Sequence, residues 1–213
     1  MVQVGNILCS SAREKQLDPR NAMDPAAPWK YFTAGVHPKD AEEAGLGFAL
    51  LENLLSDPRC IAVGECGLDR LIAGDLRGQK NLFIRQAELA EEQRKPLIIH
   101  AVRTHDELLR IRKEIRPESP WILHGFRGGE RKTFAMLDAG LYLSFGQGIL
   151  RDAANMESFF CRIPAERIFC ETDESNESIQ RIYAQTASLL LMSEMELRCQ
   201  IVQNFENCFH RSV

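Results

Sequence analysis

Four short apolar runs in this 213-residue chain lead straight into a side chain that can bind a cation or move a proton. Ile61-Ala-Val-Gly is followed by Glu65, Leu97-Ile-Ile by His100, Trp121-Ile-Leu by His124, and Ile168-Phe-Cys by Glu171-Thr-Asp173. Apolar runs of this kind, bounded by turn residues, read as buried strands. Carboxyl ends of parallel strands are where α/β folds hold their ligands. Parallel neighbours would therefore bring two imidazoles and two or three carboxylates to one spot. A mixed nitrogen and oxygen set suits a catalytic divalent cation, because imidazole favours zinc, iron or nickel while carboxylate also accepts manganese and magnesium.

Taken singly, each of these residues has a plainer use. A histidine ending a strand can serve only as a hydrogen-bonded structural group. Glu65 can be a buried acid paired with a lysine or arginine, and Asp173 can cap a following helix.

The elements that would carry them alternate along the chain. Strands are expected at Val2–Ser10, Lys30–Gly35, Ile61–Gly64, Leu97–His100, Trp121–His124, Gly140–Gly146 and Ile168–Glu171. Glu65 is expected to close its strand just before a glycine-punctuated loop, and a loop from Asp69 to Gly78 leads on to the next helix. Apolar spacing predicts helices near Lys39–Leu55, Lys132–Ala139, Ile179–Leu191 and Glu194–Asn207, with another around Leu82–Ala90. Thr104-His-Asp-Glu107 reads as a capping box opening a further helix. Residues 11 to 29 form a polar connection broken by Pro19, Pro25 and Pro28. Regular alternation of strand and helix predicts a parallel α/β fold with right-handed crossovers, in one domain spanning 1–213.

Composition narrows the function classes. A net charge of −4 and a pI near 5.8 argue against a broad basic face for nucleic acid. They leave room for a nuclease whose cation and few arginines act inside a cleft. Seven cysteines without metal-type pairs read as reduced core residues. No run of about 18 apolar residues is present for a membrane span, and no secretory leader is visible, so the expected setting is cytoplasmic with no membrane partner.

Five motifs carry a more specific likeness: Gly35-Val-His-Pro38, Gly64-Glu-Cys-Gly-Leu-Asp69, Lys95-Pro-Leu-Ile-Ile-His-Ala-Val-Arg103, His124-Gly-Phe126 and Glu171-Thr-Asp173. With Asn204-Phe-Glu-Asn-Cys-Phe209 near the end, they resemble the TatD family of metal-dependent hydrolases, in order and over nearly the whole chain. The resemblance implies a TIM-barrel-like (βα) barrel and hydrolysis of phosphodiester bonds, with DNA or a small phosphodiester as substrate. It makes Glu65, His100, His124 and Asp173 the metal residues, with Glu65 able to bridge two ions. On that reading Glu65 and Asp173 are catalytic, Asp173 serving as general base toward water on a zinc, manganese or magnesium ion. Arg103 and Arg127 are candidates to hold phosphate by forked hydrogen bonds, although each fits a surface ion pair as well. His37 is a candidate at the same mouth, or a structural part of its His-Pro turn.

The chain departs from the family at its start. The family's first strand ends in a His-x-His pair, whereas no histidine precedes His37 here. A first β-α unit of about 25 to 30 residues is thus expected to be missing, leaving seven strands and one ion rather than two. A barrel short of a strand exposes an edge. The expected form is flattened, or has its gap covered by residues 11 to 29 or by a second copy in a homo-oligomer. Glu174 and Arg70 also stand where the family has other residue types. Two further readings compete: a catalytically inactive barrel kept as a binding or scaffold module, and a start placed too far downstream.

Overall fold

Parallel strands covered on both faces tolerate few polar side chains. In the computed structural model, Cys60, Ile61, Ala62 and Val63 are all buried, as are Leu97 and Ile99. The structure describes residues 4–8, 30–72, 76–173 and 175–212. The chain divides into two compact units, Met1–Trp121 and Ile122–Val213.

In the first unit β1 (Val4–Leu8), β2 (Tyr31–Gly35), β3 (Cys60–Asp69) and β4 (Leu97–Val102) pair in chain order, every neighbour parallel. A 3-10 turn at Pro38–Glu43 leads into α1 (Ala44–Leu55), where a continuous helix from Lys39 was expected. Next come α2 (Leu76–Glu92) and α3 (His105–Ile115). The apolar stripe Leu82, Phe83, Ala87 and Ala90 buries one face of α2, and Phe83 meets Trp121 edge-on at 5.5 Å. Full burial of such large apolar side chains contributes about 1.5–3 kcal/mol each.

In the second unit β5 (Trp121–Leu123, from Ile122), β6 (Tyr142–Phe145) and β7 (Ile168–Cys170) are parallel and adjacent. Helix α4 (Glu130–Asp138) joins β5 to β6. The short helices α5 (Gly148–Arg151) and α6 (Ala153–Met156), with 3-10 turns at Phe160–Arg162 and Ala165–Arg167, fill a stretch for which no element was expected. Phe145 sits between Phe126 and Phe160, with ring centroids 5.9 and 5.0 Å away. The closing helices are α7 (Ile179–Leu189) and α8 (Glu194–Phe209). Asn204 of α8 donates to the carbonyls of Ala165 and Ile168, both at 2.8 Å, and so ties the last helix to the start of β7.

The described residues hold seven strands, four mutually parallel in the first unit and three in the second, and the apolar runs predict seven. Three expectations need correction. Strand β3 does not stop at Glu65 but continues to Asp69, and β4 passes His100 to reach Val102. Thr104 stands at the N-cap of α3 without a side-chain cap. Its buried hydroxyl donates instead to the Leu68 carbonyl at 2.9 Å, and Glu107 pairs with Arg70. A capping box does exist at Ser193 and Glu196, where it opens α8. Residues 11–29, Cys9 and Glu174 lie outside the described residues. No described helix is long and apolar enough to cross a membrane.

Candidate metal centre

Gly67 sets the geometry of the first unit's polar cluster. Its register partner is His100, and a Cβ at Gly67 would lie 1.9 Å from the His100 carbonyl oxygen. Its φ of +146° is open to glycine at little cost. Strand period places Glu65, Gly67 and Asp69 on one face. The His100 ring therefore lies between two carboxylates, with Nδ1 3.0 Å from Glu65 Oε1 and Nε2 3.1 Å from Asp69 Oδ2.

His37, two residues past β2, completes this group. Its ring centroid is 4.8 Å from that of His100, and its Nε2 is 3.8 Å from Glu65 Oε1. Burial, above all, holds the His37 pKa down to about 4. Lys39 N–H donates to its Nδ1 at 3.1 Å. A neutral ring that accepts at Nδ1 carries its proton on Nε2, so His37 presents a donor toward Glu65.

The second unit gathers His124, Glu171 and Asp173. Glu171 Oε1 accepts the Gly125 N–H at 2.6 Å and lies 3.5 Å from His124 Nδ1, while its Oε2 accepts the Ser144 hydroxyl. Asp173 is exposed, in the left-handed region with φ +47°. Aspartate tolerates that conformation better than most residues.

His37, Glu65 and His100 each offer a ligand atom within 4.8 Å of one another, and so do His124, Glu171 and Asp173. Imidazole with carboxylate is a donor set that zinc and manganese accept. The expected quartet thus falls two and two, with Glu65 and His100 in one unit and His124 and Asp173 in the other. Arg103 is exposed at φ +55°, just past β4, and its carbonyl accepts Arg70 Nε at 2.9 Å. Exposed Arg127 pairs with Asp152 at 3.2 Å.

Asp69 and Glu171 are the site residues that sequence reasoning passed over. Asp69 would have been visible as the partner of Glu65 at strand spacing, had β3 been expected to continue. Glu171 ends its apolar run directly but was eclipsed by the motif's Asp173.

A family model described as TatD related DNase matches residues 3–210. The chain belongs to that family. TatD relatives include the 3'-5' ssDNA/RNA exonuclease TatD of Erwinia billingiae, 35% identical over 149 residues that make up 67% of this chain and 57% of that protein. The same-named protein of Klebsiella pneumoniae is 32% identical over 165 residues, 75% of this chain and 62% of its own. The chain thus spans less than two thirds of the length of these relatives. A TatD family hydrolase from Entamoeba histolytica superposes with a TM-score of 0.78 at 18% identity, covering 97% of this chain and 83% of the other. A TatD homologue from Escherichia coli K12 gives 0.76 at 24%, covering 85% and 77%. These likenesses carry the fold, the TIM-barrel-like α/β architecture of this hydrolase family.

Proposed function

We propose that this protein hydrolyses phosphodiester bonds with the help of a divalent zinc, manganese or magnesium ion, with single-stranded DNA or RNA as the substrate class. The reading takes 1–213 as one functional domain working in the cytoplasm. Its main support is the Glu65–His100 pair with a neutral His37 beside it, in a chain of the TatD family.

Glu65 and His100 would hold an ion in the first unit, and His124 and Asp173 offer the same donor types in the second. When bound, such an ion polarises a phosphoryl oxygen and acidifies water. Asp173 takes the proton of the attacking water as the new P–O bond forms and the bond to the departing sugar oxygen breaks. His37 donates its Nε2–H to a phosphate oxygen. Fixed as a donor by Lys39, it needs no reorganisation to do so. Arg103 and Arg127 supply positive charge to the incoming strand. The Arg127–Asp152 pair is no obstacle, because an exposed pair is worth only about 0–1 kcal/mol.

Two measurements on one preparation test this: metal content of protein purified without chelators, and cleavage of a labelled single-stranded oligonucleotide with zinc, manganese or magnesium added. Expected are bound metal and metal-stimulated cleavage lost in Glu65→Gln. Protein that binds none of the three ions and leaves both the oligonucleotide and bis(p-nitrophenyl) phosphate intact overturns the proposal and favours a non-catalytic binding module.

A further inference from the structure

We propose that Asp69 is a positioning residue that selects which nitrogen of His100 faces the cation. The inference rests on the reading of Glu65 and His100 as metal residues. An imidazole ligand gives one nitrogen to a metal and keeps its proton on the other. His100 has a carboxylate at each nitrogen, 3.0 Å to Glu65 on the Nδ1 side and 3.1 Å to Asp69 on the Nε2 side, so the protein must break a near-tie.

Three observations break it in the same direction. On the Nδ1 side stands Glu65, the other residue read as holding the ion, 3.0 Å away. On the Nε2 side, the Asp69 carboxylate is already committed, because its Oδ1 accepts the Leu71 N–H at 2.7 Å. The Asp69 backbone is pinned as well, its N–H donating to Gln79 Oε1 at 2.8 Å and its carbonyl accepting from Gln79 Nε2 at 3.1 Å. A carboxylate fixed at both its backbone and one oxygen is suited to accept an N–H, and Nε2–H is the one it faces. Nδ1 is then left with its lone pair directed to the Glu65 side.

The substitution Asp69→Asn makes this testable, because it preserves shape while reversing the hydrogen-bond sense. Its one amide oxygen is claimed by the Leu71 N–H. The NH2 group then faces His100 Nε2 and donates to it, which forces the ring proton onto Nδ1, where the cation should be. A carboxylate–histidine–metal relay of this kind is worth about 10- to 100-fold in metal affinity. Zinc titration of the metal-free full chain by calorimetry should therefore show Asp69→Asn binding about 10- to 100-fold more weakly than wild type, with an unchanged urea midpoint in the metal-free state. A role confined to holding Leu71 predicts wild-type affinity instead, since the amide oxygen still accepts that N–H.

Nitrogen-15 spectra of the histidines in zinc-loaded wild type give a second readout, independent of whether the variant folds. A proton on His100 Nε2 supports the proposal, and a proton on Nδ1 overturns it. Equal zinc affinity in Asp69→Asn and wild type also overturns it. Wild type that takes up no zinc, manganese or magnesium removes the metal reading itself, and this proposal with it. That result is distinct from a bound ion carried on the other nitrogen.

Discussion

Gln79 and Gln86 stand seven residues apart on one face of α2, and each holds both backbone groups of a single residue at or just past a strand end. Gln79 binds the N–H and carbonyl of Asp69. Gln86 accepts the Val36 N–H at 2.7 Å and donates to the Val36 carbonyl at 3.0 Å. Both side chains are buried. The helix thus serves as the hydrogen-bonding neighbour of backbone next to His37 and beside His100.

Replacing Gln86 by leucine fills the volume but leaves two backbone groups without these partners. An unsatisfied buried donor or acceptor costs about 1–3 kcal/mol. Urea unfolding should show Gln86→Leu less stable by about 2–4 kcal/mol. A leucine variant within about 0.5 kcal/mol of wild type, the usual range of neutral surface changes, would contradict the assignment.

The two glutamines mark where the sequence stops being legible. Apolar runs such as Leu97-Ile-Ile announce buried strands, and the Leu82, Phe83 and Ala87 stripe announces α2. A buried glutamine looks the same in sequence as an exposed one, and the partner of Gln86 lies 50 residues away. Gly67 misled in the opposite direction. It reads as a loop residue just past Glu65, yet it is there so that β3 can lie against the backbone of His100. Extending that strand is what brings Asp69 into the site. Thr104 and Glu107 have the spacing of a capping box, but a hydroxyl accepts and donates wherever the fold takes it, and here it reaches Leu68.

Thr104 yields the next prediction. Thr104→Val preserves shape and removes the donor to Leu68, so the buried carbonyl loses this partner. A loss of about 1–2 kcal/mol is expected, with Thr104→Ser recovering most of it. If the hydroxyl only capped α3, helix content measured by circular dichroism would drop in Thr104→Val. No such drop is expected.

Asp173→Asn addresses the chemistry. Asparagine cannot take a proton from water, and general-base catalysis contributes about 10²–10⁴-fold. The turnover number for bis(p-nitrophenyl) phosphate should fall within that range while the urea midpoint stays unchanged. Turnover equal to wild type would remove Asp173 from the base role.

His37 ties stability to pH. Its folded pKa of about 4 lies below the ordinary value of 6.5 because burial disfavours the charged ring. Between those values the unfolded chain binds more protons than the folded one, so stability falls as pH drops from 6.5 toward 4. Above 6.5 both states are neutral at this ring and its contribution is flat. Urea midpoints of metal-free protein should decline across this window, and His37→Asn should flatten part of the decline. Identical slopes in the two proteins would show that the ring is not held neutral.

Glu171 offers a graded contrast with Asp69. Its two oxygens are anchored by the Gly125 N–H and the Ser144 hydroxyl, and His124 Nδ1 lies 3.5 Å away, beyond good hydrogen-bond length. Glu171→Gln can keep both anchors, because its oxygen still accepts from Gly125 and the Ser144 hydroxyl can accept from its NH2 group. What it removes is the negative charge facing His124. Folding should be unaffected, and zinc affinity should fall by less than in Asp69→Asn, since the weaker contact holds its ring less firmly. Ser144→Ala should instead lower stability by about 1 kcal/mol, the net worth of one hydrogen bond, with little change in zinc binding. Calorimetric titration of the three variants in parallel checks the order. A Glu171→Gln protein that loses more affinity than Asp69→Asn would make Glu171 a direct ligand and the Asp69 contact the lesser one.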